Sequence, residues 1–348
     1  MRNLLYLPLI LLFAACHSHE AGENPHMLEP DAPEWALVIH GGAGYFDSES
    51  YTDVEEAAYH DRLTAALDAG EAVLAAGGSS TDAVVAAIQV LEDSPLFNAG
   101  KGAVFTAEGI NEMDASIMQG SDLNCGAVTG IQQVKNPITA ARAVMDHSEH
   151  VFFSGGGATL FAQDQGLTMV DSSYFWSEKS WNRYIRIKAN EDSLTAAGQA
   201  FHLHRWPEAK FGTVGCVALD NKGNLAAGTS TGGMTFKRNG RIGDSPVISA
   251  GTYADNNSAA ISCTGHGEYF IRTAVAHDIC ARVEHGGASL EEAARAVVMD
   301  KLVRMDGEGG IIGLDRCGNV AMTFNSAGMF RGFRKSTGET AVKMYGNK

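Results

Sequence analysis

The sequence predicts an α+β protein with four layers, in which two β-sheets pack against each other between two layers of helices. Two observations carry this prediction. Residues 213–231 and 310–325 each show a strand, a short turn and a second strand, and the helical patterns are grouped before and between these two hairpins. Strands grouped in hairpins favour antiparallel sheets covered by helices over a parallel sheet wound through alternating strands and helices.

The bulk composition is that of a globular protein with a large core. The chain has 348 residues, of which 45% are apolar, so it can form one large domain or two smaller ones. Its formal charge of −15 argues against nucleic acids and anionic lipid head groups as partners, because both require a basic face. A small, zwitterionic ligand is compatible with this charge.

The first residues predict export. Arg2 is followed by the apolar run Leu4–Phe13, which is shorter than the roughly 18 residues of a membrane span. Residues 13–16, Phe-Ala-Ala-Cys, resemble a bacterial lipoprotein signal, which predicts a signal peptide over 1–16, a lipid anchor on Cys16 in the periplasm or outer membrane, and a tether over 17–33. An ordinary cleaved signal peptide is the alternative.

The first half of the chain predicts mixed elements. Trp35–His40 is a buried strand that enters a glycine-rich turn, and Val54–Ala76 is an alanine-rich helix. Ser79 caps a second helix. Residues 100–106 and 111–118 have the pattern of short strands.

The next elements lead to the first hairpin. Asn136 and Pro137 begin a helix, with proline in its first turn. Residues 189–212 are polar and small without a sustained period, which predicts a flexible linker. The apolar strand that starts the first hairpin follows directly at Thr213.

Two helices are predicted between the hairpins. The first covers Gly267–Glu284, and Ser289 with Glu292 forms a capping box that opens the second. The five cysteines after Cys16 lack the close paired spacing of a zinc site and are expected to be core thiols. Because the histidines also lack an HExxH pair, no catalytic metal is expected.

The pair Gly212-Thr213 lies where the linker meets a buried strand. An internal threonine is a weak nucleophile, but a terminal threonine carries an α-amine of pKa about 8 that can act as its base. Attack of the Thr213 hydroxyl on the Gly212 carbonyl would cleave the chain and create that terminus, and glycine tolerates the distorted backbone this needs. Taken alone, a threonine that opens a strand is also ordinary.

Several longer motifs resemble, in order and spacing, the plant-type asparaginase and isoaspartyl peptidase family. They span most of the chain from Trp35 to Gly332, and they are Ile39–Gly44, Pro95–Thr106, Met113–Met118, Lys210–Asp220, Asn224–Gly233, Gly240–Pro246 and Ser262–Glu268. The resemblance implies an N-terminal nucleophile hydrolase fold. It also implies self-cleavage into an α subunit over 34–212 and a β subunit over 213–348, with Thr213 as the nucleophile.

The resemblance implies two substrate-binding charges. The residue matching Arg241 holds the substrate α-carboxylate, a role that suits a planar guanidinium with paired donors. The residue matching Asp244 holds the α-ammonium group. Without the family, the same two side chains would be interpreted as a surface ion pair of little energetic value.

Further roles follow from the same resemblance. The Thr264 hydroxyl and the Gly265 N–H match the donors that stabilise the oxyanion of the tetrahedral intermediate. Thr231 matches a threonine that supports the nucleophile, and Asn98 and Gly42 belong to loops that approach it. The family also implies a dimer of cleaved αβ protomers and a structural sodium ion held by backbone carbonyls of the loop 91–101.

The predicted reaction is hydrolysis of L-asparagine or β-aspartyl dipeptides, with release of L-aspartate through a threonyl ester. A glycosylasparaginase-like hydrolase is one alternative, although that branch and the threonine endopeptidases typically have aspartate at the position of Gly212. A second alternative is an exported lipoprotein that never cleaves and only binds amino acids.

Overall fold

The computed structural model describes residues 32–47, 49–198 and 212–346. The predicted signal peptide, the lipid anchor at Cys16, most of the tether and residues 199–211 of the predicted linker lie outside these ranges. Within them, strands and helices alternate irregularly along the chain. The strands, numbered in chain order, are β1 (Ala36–Gly44), β2 (Met113–Gln119), β3 (Cys125–Ile131), β4 (Phe152–Ser154), β5 (Val214–Leu219), β6 (Leu225–Thr231), β7 (Thr252–Ala254), β8 (Ala259–Gly265), β9 (Gly309–Asp315), β10 (Val320–Phe324), β11 (Gly328–Lys335) and β12 (Thr340–Tyr345).

The described strands form two sheets. The larger has the order β12-β11-β1-β5-β6-β2-β3-β4, and its pairs are antiparallel except β3 with β4. The smaller has the order β10-β9-β8-β7 and is antiparallel throughout. Both predicted hairpins are present, as β5–β6 and β9–β10. Because β5 lies between β1 and β6 in the larger sheet, its first residues are held on both sides.

Most of the helices lie on the outer faces of the sheets. They are α1 (Asp53–Ala75), α2 (Ser80–Glu92), α3 (Pro137–His147), α4 (Gly155–Asp164), α5 (Glu178–Ala196), α6 (Gly267–Thr273), α7 (Val275–Glu284) and α8 (Leu290–Arg295). The capping predictions are confirmed at Ser79, which accepts the Asp82 N–H, and in the capping box of Ser289 and Glu292. Across the described residues, every helix is too short or too polar to cross a bilayer.

Three parts of the core follow the layers, and a fourth, smaller part packs Tyr184 and Ile187 of α5 against Phe105 and Phe236. Helices α1 to α4 pack on the outer face of the larger sheet, and α7 and α8 pack on the outer face of the smaller one. The inner faces meet through apolar side chains, among them Val38, Val217, Ile312 and Leu314. Burial of this apolar surface is the main stabilising term. The predicted four-layer α+β sandwich is confirmed.

Three local predictions were wrong. Residues 189–196 belong to α5 and not to a flexible linker, because Lys188 pairs with Asp192 along the helix and Glu191 pairs with Arg238. Residues 100–106 contain a 3₁₀ turn at Gly100–Gly102 instead of a strand. The helix predicted over 267–284 is divided at Ala274, which has a left-handed φ of 47°.

Candidate active site

Thr213 lies directly before β5, in the middle of the larger sheet. Its hydroxyl donates to Oγ1 of Thr231, the last residue of β6, across 3.1 Å. The two are neighbours because β5 and β6 form one hairpin, in which Val214 pairs with Ser230. Thr231 Oγ1 also accepts the Gly233 N–H at 3.0 Å, so its own proton remains available for donation.

Gly42 and Gly212 meet at the peptide bond before Thr213. Gly212 has a φ of 77° and Gly42 a φ of 108°, both in the region that favours glycine. A Cβ on Gly42 would overlap the Gly212 Cα and lie 3.1 Å from the Thr213 nitrogen. The irregularity in β1 between His40 and Gly42 brings this strand close to the bond. Glycine at position 42 is therefore required by the close approach.

His40 holds the Thr213 carbonyl from the other side. Its Nδ1 lies 3.0 Å from that oxygen, and because a carbonyl can only accept, Nδ1 carries the proton. Nε2 then accepts from the Ser262 hydroxyl at 3.0 Å, and Ser262 accepts from Thr229 at 2.7 Å. Burial lowers the pKa of His40 to about 3, so the ring is neutral. A single chain of hydrogen bonds thus ends on the backbone of Thr213.

This histidine has no assigned role in the predicted site, although it stands in the Ile39–Gly44 motif. Nothing in the local sequence separates it from a histidine that merely fills the core. Its partner Ser262 is 222 positions away, which only the fold can reveal.

Thr264 and Gly265 end β8 beside the nucleophile. Oγ1 of Thr264 accepts the Ala43 N–H at 3.2 Å, which leaves the hydroxyl proton to be donated elsewhere. A Cβ on Gly265 would overlap the Glu308 carbonyl oxygen and lie 2.7 Å from the Phe270 ring. Only glycine fits, and the backbone comes close to the cavity. Thr264 and Gly265, the two residues expected to stabilise an oxyanion, line the same cavity as Thr213.

Arg241 is held by Glu268, an acid for which the motifs imply no role. Its Nε and Nη2 donate to the two carboxylate oxygens of Glu268 at 2.9 and 3.0 Å. Burial alone would raise the pKa of Glu268, but hydrogen bonding to Arg241 outweighs it and lowers this pKa. The remaining Nη1 lies against Gly243, where a Cβ would be 3.0 Å away. Glu268 therefore orients the guanidinium and leaves one of its nitrogens for another partner.

Asp244 is a buried carboxyl group with an unused oxygen. The residue is 4% exposed, and within the described part of the chain its Oδ2 has no hydrogen-bond partner. Burial raises the pKa of Asp244 to about 7, although Arg241 acts in the opposite direction. A Cβ on Gly267 would lie 2.9 Å from Oδ1, so this glycine makes room for the carboxyl. An unsatisfied buried acid of this kind is typical of a site for a cation.

Asn98 organises the turn after β6. Its side-chain nitrogen donates to the Gly233 carbonyl at 2.7 Å, and its side-chain oxygen accepts the Val104 N–H at 3.0 Å. The backbone carbonyl of Asn98 accepts the Gly232 N–H at 3.0 Å. Asn98 therefore fixes the backbone of Gly232 and Gly233, which borders the site.

The fold brings most of the predicted residues around one small cavity of about 30 Å³. Its walls include Thr213, Thr231, Arg241, Asp244, Thr264, Gly265 and Gly212. Gly42 and Asn98 border a second, larger cavity that shares Gly212 and Ala43 with the first. Among residues 32–47, 49–198 and 212–346, no cluster of three histidine, cysteine or acidic side chains could hold a metal ion.

Comparison with known proteins identifies the family of the chain. A family model described as asparaginase matches residues 33–344. The chain belongs to the asparaginase family. This membership confirms the resemblance drawn from the motifs and, with it, the N-terminal nucleophile hydrolase fold.

Three relatives named as isoaspartyl peptidases match most of the chain. It is 45% identical over 309 residues to a protein of Salmonella typhimurium named isoaspartyl peptidase, which spans 88% of this chain and 97% of the relative. The protein of the same name from Escherichia coli K12 is 45% identical, with 88% and 95% covered. The Bos taurus protein named isoaspartyl peptidase/L-asparaginase is 41% identical, with 84% and 91% covered.

Proposed function

We propose that this chain is an amidohydrolase that cleaves itself between Gly212 and Thr213 and then releases L-aspartate from L-asparagine and β-aspartyl dipeptides. One observation carries the proposal. The Thr213 hydroxyl faces Thr231 at 3.1 Å, in a cavity that also holds the unsatisfied acid of Asp244 and the guanidinium of Arg241. The nucleophile Thr213, an acid that can bind a cation and a guanidinium that can bind an anion thus line one cavity.

Self-cleavage begins with attack of Thr213 Oγ1 on the Gly212 carbonyl carbon. The amide C–N bond breaks, an ester forms, and the nitrogen of Thr213 takes up the hydroxyl proton. Water then hydrolyses the ester, which leaves a carboxylate on Gly212 and a free amine on Thr213. The hydrogen bond from His40 to the Thr213 carbonyl, at 3.0 Å, holds the residue in place during this rearrangement.

Turnover uses the same groups on an external amide. The new α-amine takes the proton of Thr213 Oγ1, and the oxygen attacks the side-chain carbonyl of the substrate. The hydroxyl of Thr264 and the N–H of Gly265 stabilise the oxyanion. The C–N bond breaks as the amine returns its proton to the leaving nitrogen, and water completes the cycle by cleaving the aspartyl ester.

Recognition of the substrate rests on the buried Asp244 and the partly buried Arg241. The unsatisfied Oδ2 of Asp244 would accept from the α-ammonium group, and Nη1 of Arg241 would donate to the α-carboxylate. A cavity of about 30 Å³ has room for only one or two water molecules. Because Gly212 forms part of its wall, departure of this residue after cleavage would enlarge it enough for an aspartyl group.

Cleavage would divide the hydrolase domain into an α subunit over 34–212 and a β subunit over 213–348. The family resemblance further implies a homodimer of cleaved protomers. The loop 91–101 also suits a structural sodium ion. The carbonyl oxygen of Glu92 would lie 2.5 Å from a Cβ on Gly100, and that of Phe97 would lie 2.0 Å from a Cβ on Gly102, so both oxygens lie close to the backbone of this loop. Such oxygens are ligands of hard cations.

Export completes the proposal. The segment Phe13-Ala-Ala-Cys16 supports lipidation of Cys16, with residues 17–33 as a tether to the periplasmic face of a membrane. Mass spectrometry of the mature N-terminus tests this. A diacylated Cys16 is expected, and an unmodified residue after an ordinary cleavage site would contradict the anchor.

One preparation separates the proposed enzyme from its alternatives. Purified protein is expected to give two fragments, the smaller starting at Thr213 on N-terminal sequencing, and to release aspartate from asparagine. Thr213→Ala should remain one full-length band without activity. A wild-type preparation that stays uncleaved and inactive while it binds asparagine would favour the binding lipoprotein, and activity confined to glycosylated asparagine would favour the glycosylasparaginase-like reading.

A further inference from the structure

A seam of polar side chains crosses the apolar space between the two sheets. Each member lies within hydrogen-bond distance of the next, and the members are, in order, His40, Ser262, Thr229, Thr252 and Ser116. All five are completely buried. Apolar groups of the same shape would be about as stable in such a place, since a buried hydrogen bond adds little net free energy. Stability alone therefore does not explain the seam.

The seam alternates between the two sheets. His40, Thr229 and Ser116 belong to β1, β6 and β2 of the larger sheet, whereas Ser262 and Thr252 belong to β8 and β7 of the smaller one. Because the Ser262 hydroxyl donates to Nε2 of His40, it accepts from Thr229 at 2.7 Å. Thr252 donates to Thr229 at 2.5 Å and lies 2.8 Å from the Ser116 hydroxyl. Every contact of the seam thus joins one sheet to the other.

Gly215 leaves the space through which the seam passes. It stands in β5, where it pairs with His40 on one side and with Thr229 on the other. A Cβ at this position would lie 2.0 Å from the Ser262 hydroxyl oxygen and 2.3 Å from Nε2 of His40. Ser262 can therefore reach between these two residues only because position 215 has no side chain.

The seam runs one pleat behind the groups of the proposed site. Side chains two positions apart on a strand point to the same face of the sheet. Three positions along the seam lie two residues from a site residue, and these pairs are Thr229 with Thr231, Ser262 with Thr264, and Gly215 with Thr213. Because the nucleophile adjoins the larger sheet and Thr264 belongs to the smaller one, the distance between them depends on how the sheets are held together here.

Both ends of the seam are backbone carbonyls of the site. Nδ1 of His40 donates to the Thr213 carbonyl at 3.0 Å, and at the other end the Ser116 hydroxyl donates to the Ser245 carbonyl at 2.6 Å. Ser245 follows Asp244, and both line the cavity that holds Thr213. One run of hydrogen-bonding groups thus connects the nucleophile with the segment that carries the acid for the substrate ammonium group.

We infer that the seam positions the site. Thr229 sets the spacing of the nucleophile and the oxyanion donor Thr264 across the two sheets, and Ser116 fixes the segment that carries Asp244. Thr229 and Ser116 are positioning residues, because they act on the cavity through the groups that line it. The inference rests on the proposed function and deepens it, since it makes the rate of the reaction and the affinity for substrate depend on different parts of the seam.

The test measures kcat and KM for asparagine separately, with rates expressed per mole of chain cleaved before Thr213. Thr229→Val keeps the shape but removes the hydroxyl, and it should lower kcat by about tenfold with little change in KM, because small misplacements of reacting groups are costly. Thr229→Ser keeps the hydroxyl and should restore most of kcat. Ser116→Ala should instead raise KM by about tenfold and leave kcat near the wild-type value.

Thr139→Val on α3 is the matched control. It also removes a hydroxyl, which donates to the Asn136 carbonyl at 2.7 Å, but it lies outside the seam. Thermal midpoints of all variants measure the purely structural effect. In Thr139→Val, kcat and KM should equal the wild-type values even where the midpoint falls.

The outcomes distinguish the inference from the proposed function. A folded Thr229→Val chain that stays uncleaved, while Thr229→Ser is cleaved, would also support the inference, because the same oxygen attacks in both reactions. Wild-type kcat and KM in both Thr229→Val and Ser116→Ala would overturn the role of the seam and leave the proposed function intact. A wild-type protein that hydrolyses neither asparagine nor β-aspartyl dipeptides would overturn the proposed function itself.

Discussion

Nδ1 of His40 donates a hydrogen bond to the backbone carbonyl of Thr213 across 3.0 Å. The contact ties a neutral, buried ring to the residue on which the proposed chemistry depends. The Ser262 hydroxyl fixes the tautomer of that ring by donating to Nε2 at 3.0 Å. The position of the nucleophile thus depends on a polar chain that reaches into the interface between the two sheets.

His40→Leu is therefore expected to slow self-cleavage and to destabilise the fold. The variant fills similar space but leaves the Thr213 carbonyl and the Ser262 hydroxyl short of a buried partner, at a cost of about 1–3 kcal/mol. The fraction of cleaved chain over time and the thermal midpoint measure both effects. Ser262→Ala, which keeps the bond to Thr213, should show a smaller delay. Cleavage of His40→Leu at the wild-type rate would rule out the positioning role.

Thr231→Val should lower kcat by about 10²-fold with little change in KM, because it removes one hydrogen bond to the reacting oxygen. The Thr231 hydroxyl lies 3.1 Å from the hydroxyl of Thr213. Steady-state kinetics on asparagine provide the measurement, with Thr231→Ser as the matched variant that keeps the hydroxyl. Equal losses in both variants would point to packing and not to the hydrogen bond.

Asp244→Asn should abolish asparagine hydrolysis yet stabilise the folded chain at alkaline pH. The folded pKa of Asp244 is about 7, above its ordinary value of 3.8. Between these values the unfolded state loses its proton first, so the carboxyl makes the fold progressively less stable as pH rises, and the full penalty remains above pH 7.

The stability arm is measured in a Thr213→Ala background, which keeps the chain whole. Unfolding free energy at pH 8 should be higher by about 4 kcal/mol in the asparagine variant, and the difference should shrink towards pH 4. A difference that does not vary with pH would mean that Asp244 is ionised at an ordinary pKa in the folded protein.

Arg241→Ala should raise KM for asparagine by about 10- to 100-fold, the loss expected for a hydrogen-bonded charge pair. Glu268→Gln should raise it less, since the amide oxygen can still accept one of the two bonds that orient the guanidinium at 2.9 and 3.0 Å. Initial rates over a range of asparagine concentrations give both values. An unchanged KM in Arg241→Ala would remove its assignment to the substrate carboxylate.

Gly42→Ala should block processing. The added methyl would overlap Gly212, and the φ of 108° at position 42 is strained for any residue with a Cβ. Purified protein is expected to be folded but largely uncleaved on a denaturing gel. Gly338→Ala offers a control, because it has a φ of 92° but open space around it. Normal cleavage of Gly42→Ala would show that Gly42 and Gly212 separate easily.

The sequence by itself determined the layers of the fold, the hairpin that presents Thr213, and the family. Alternating apolar strands, turns and helix caps are local patterns, and several motifs in one order leave little freedom for the arrangement. The same local reasoning failed at residues 189–196, where the ion pair of Glu191 with Arg238 connects α5 to a distant segment. A pattern of polar residues there does not reveal which of them find partners.

Only the tertiary structure decided the environment of the site. It placed His40 on the Thr213 carbonyl, Glu268 on Arg241, and the Thr229 hydroxyl between Ser262 and Thr252. The physical reason is that charge, burial and hydrogen bonding depend on distances between segments that are far apart in the chain. The pKa values of Asp244 and His40 would be ordinary in water, and burial in the folded chain shifts both strongly.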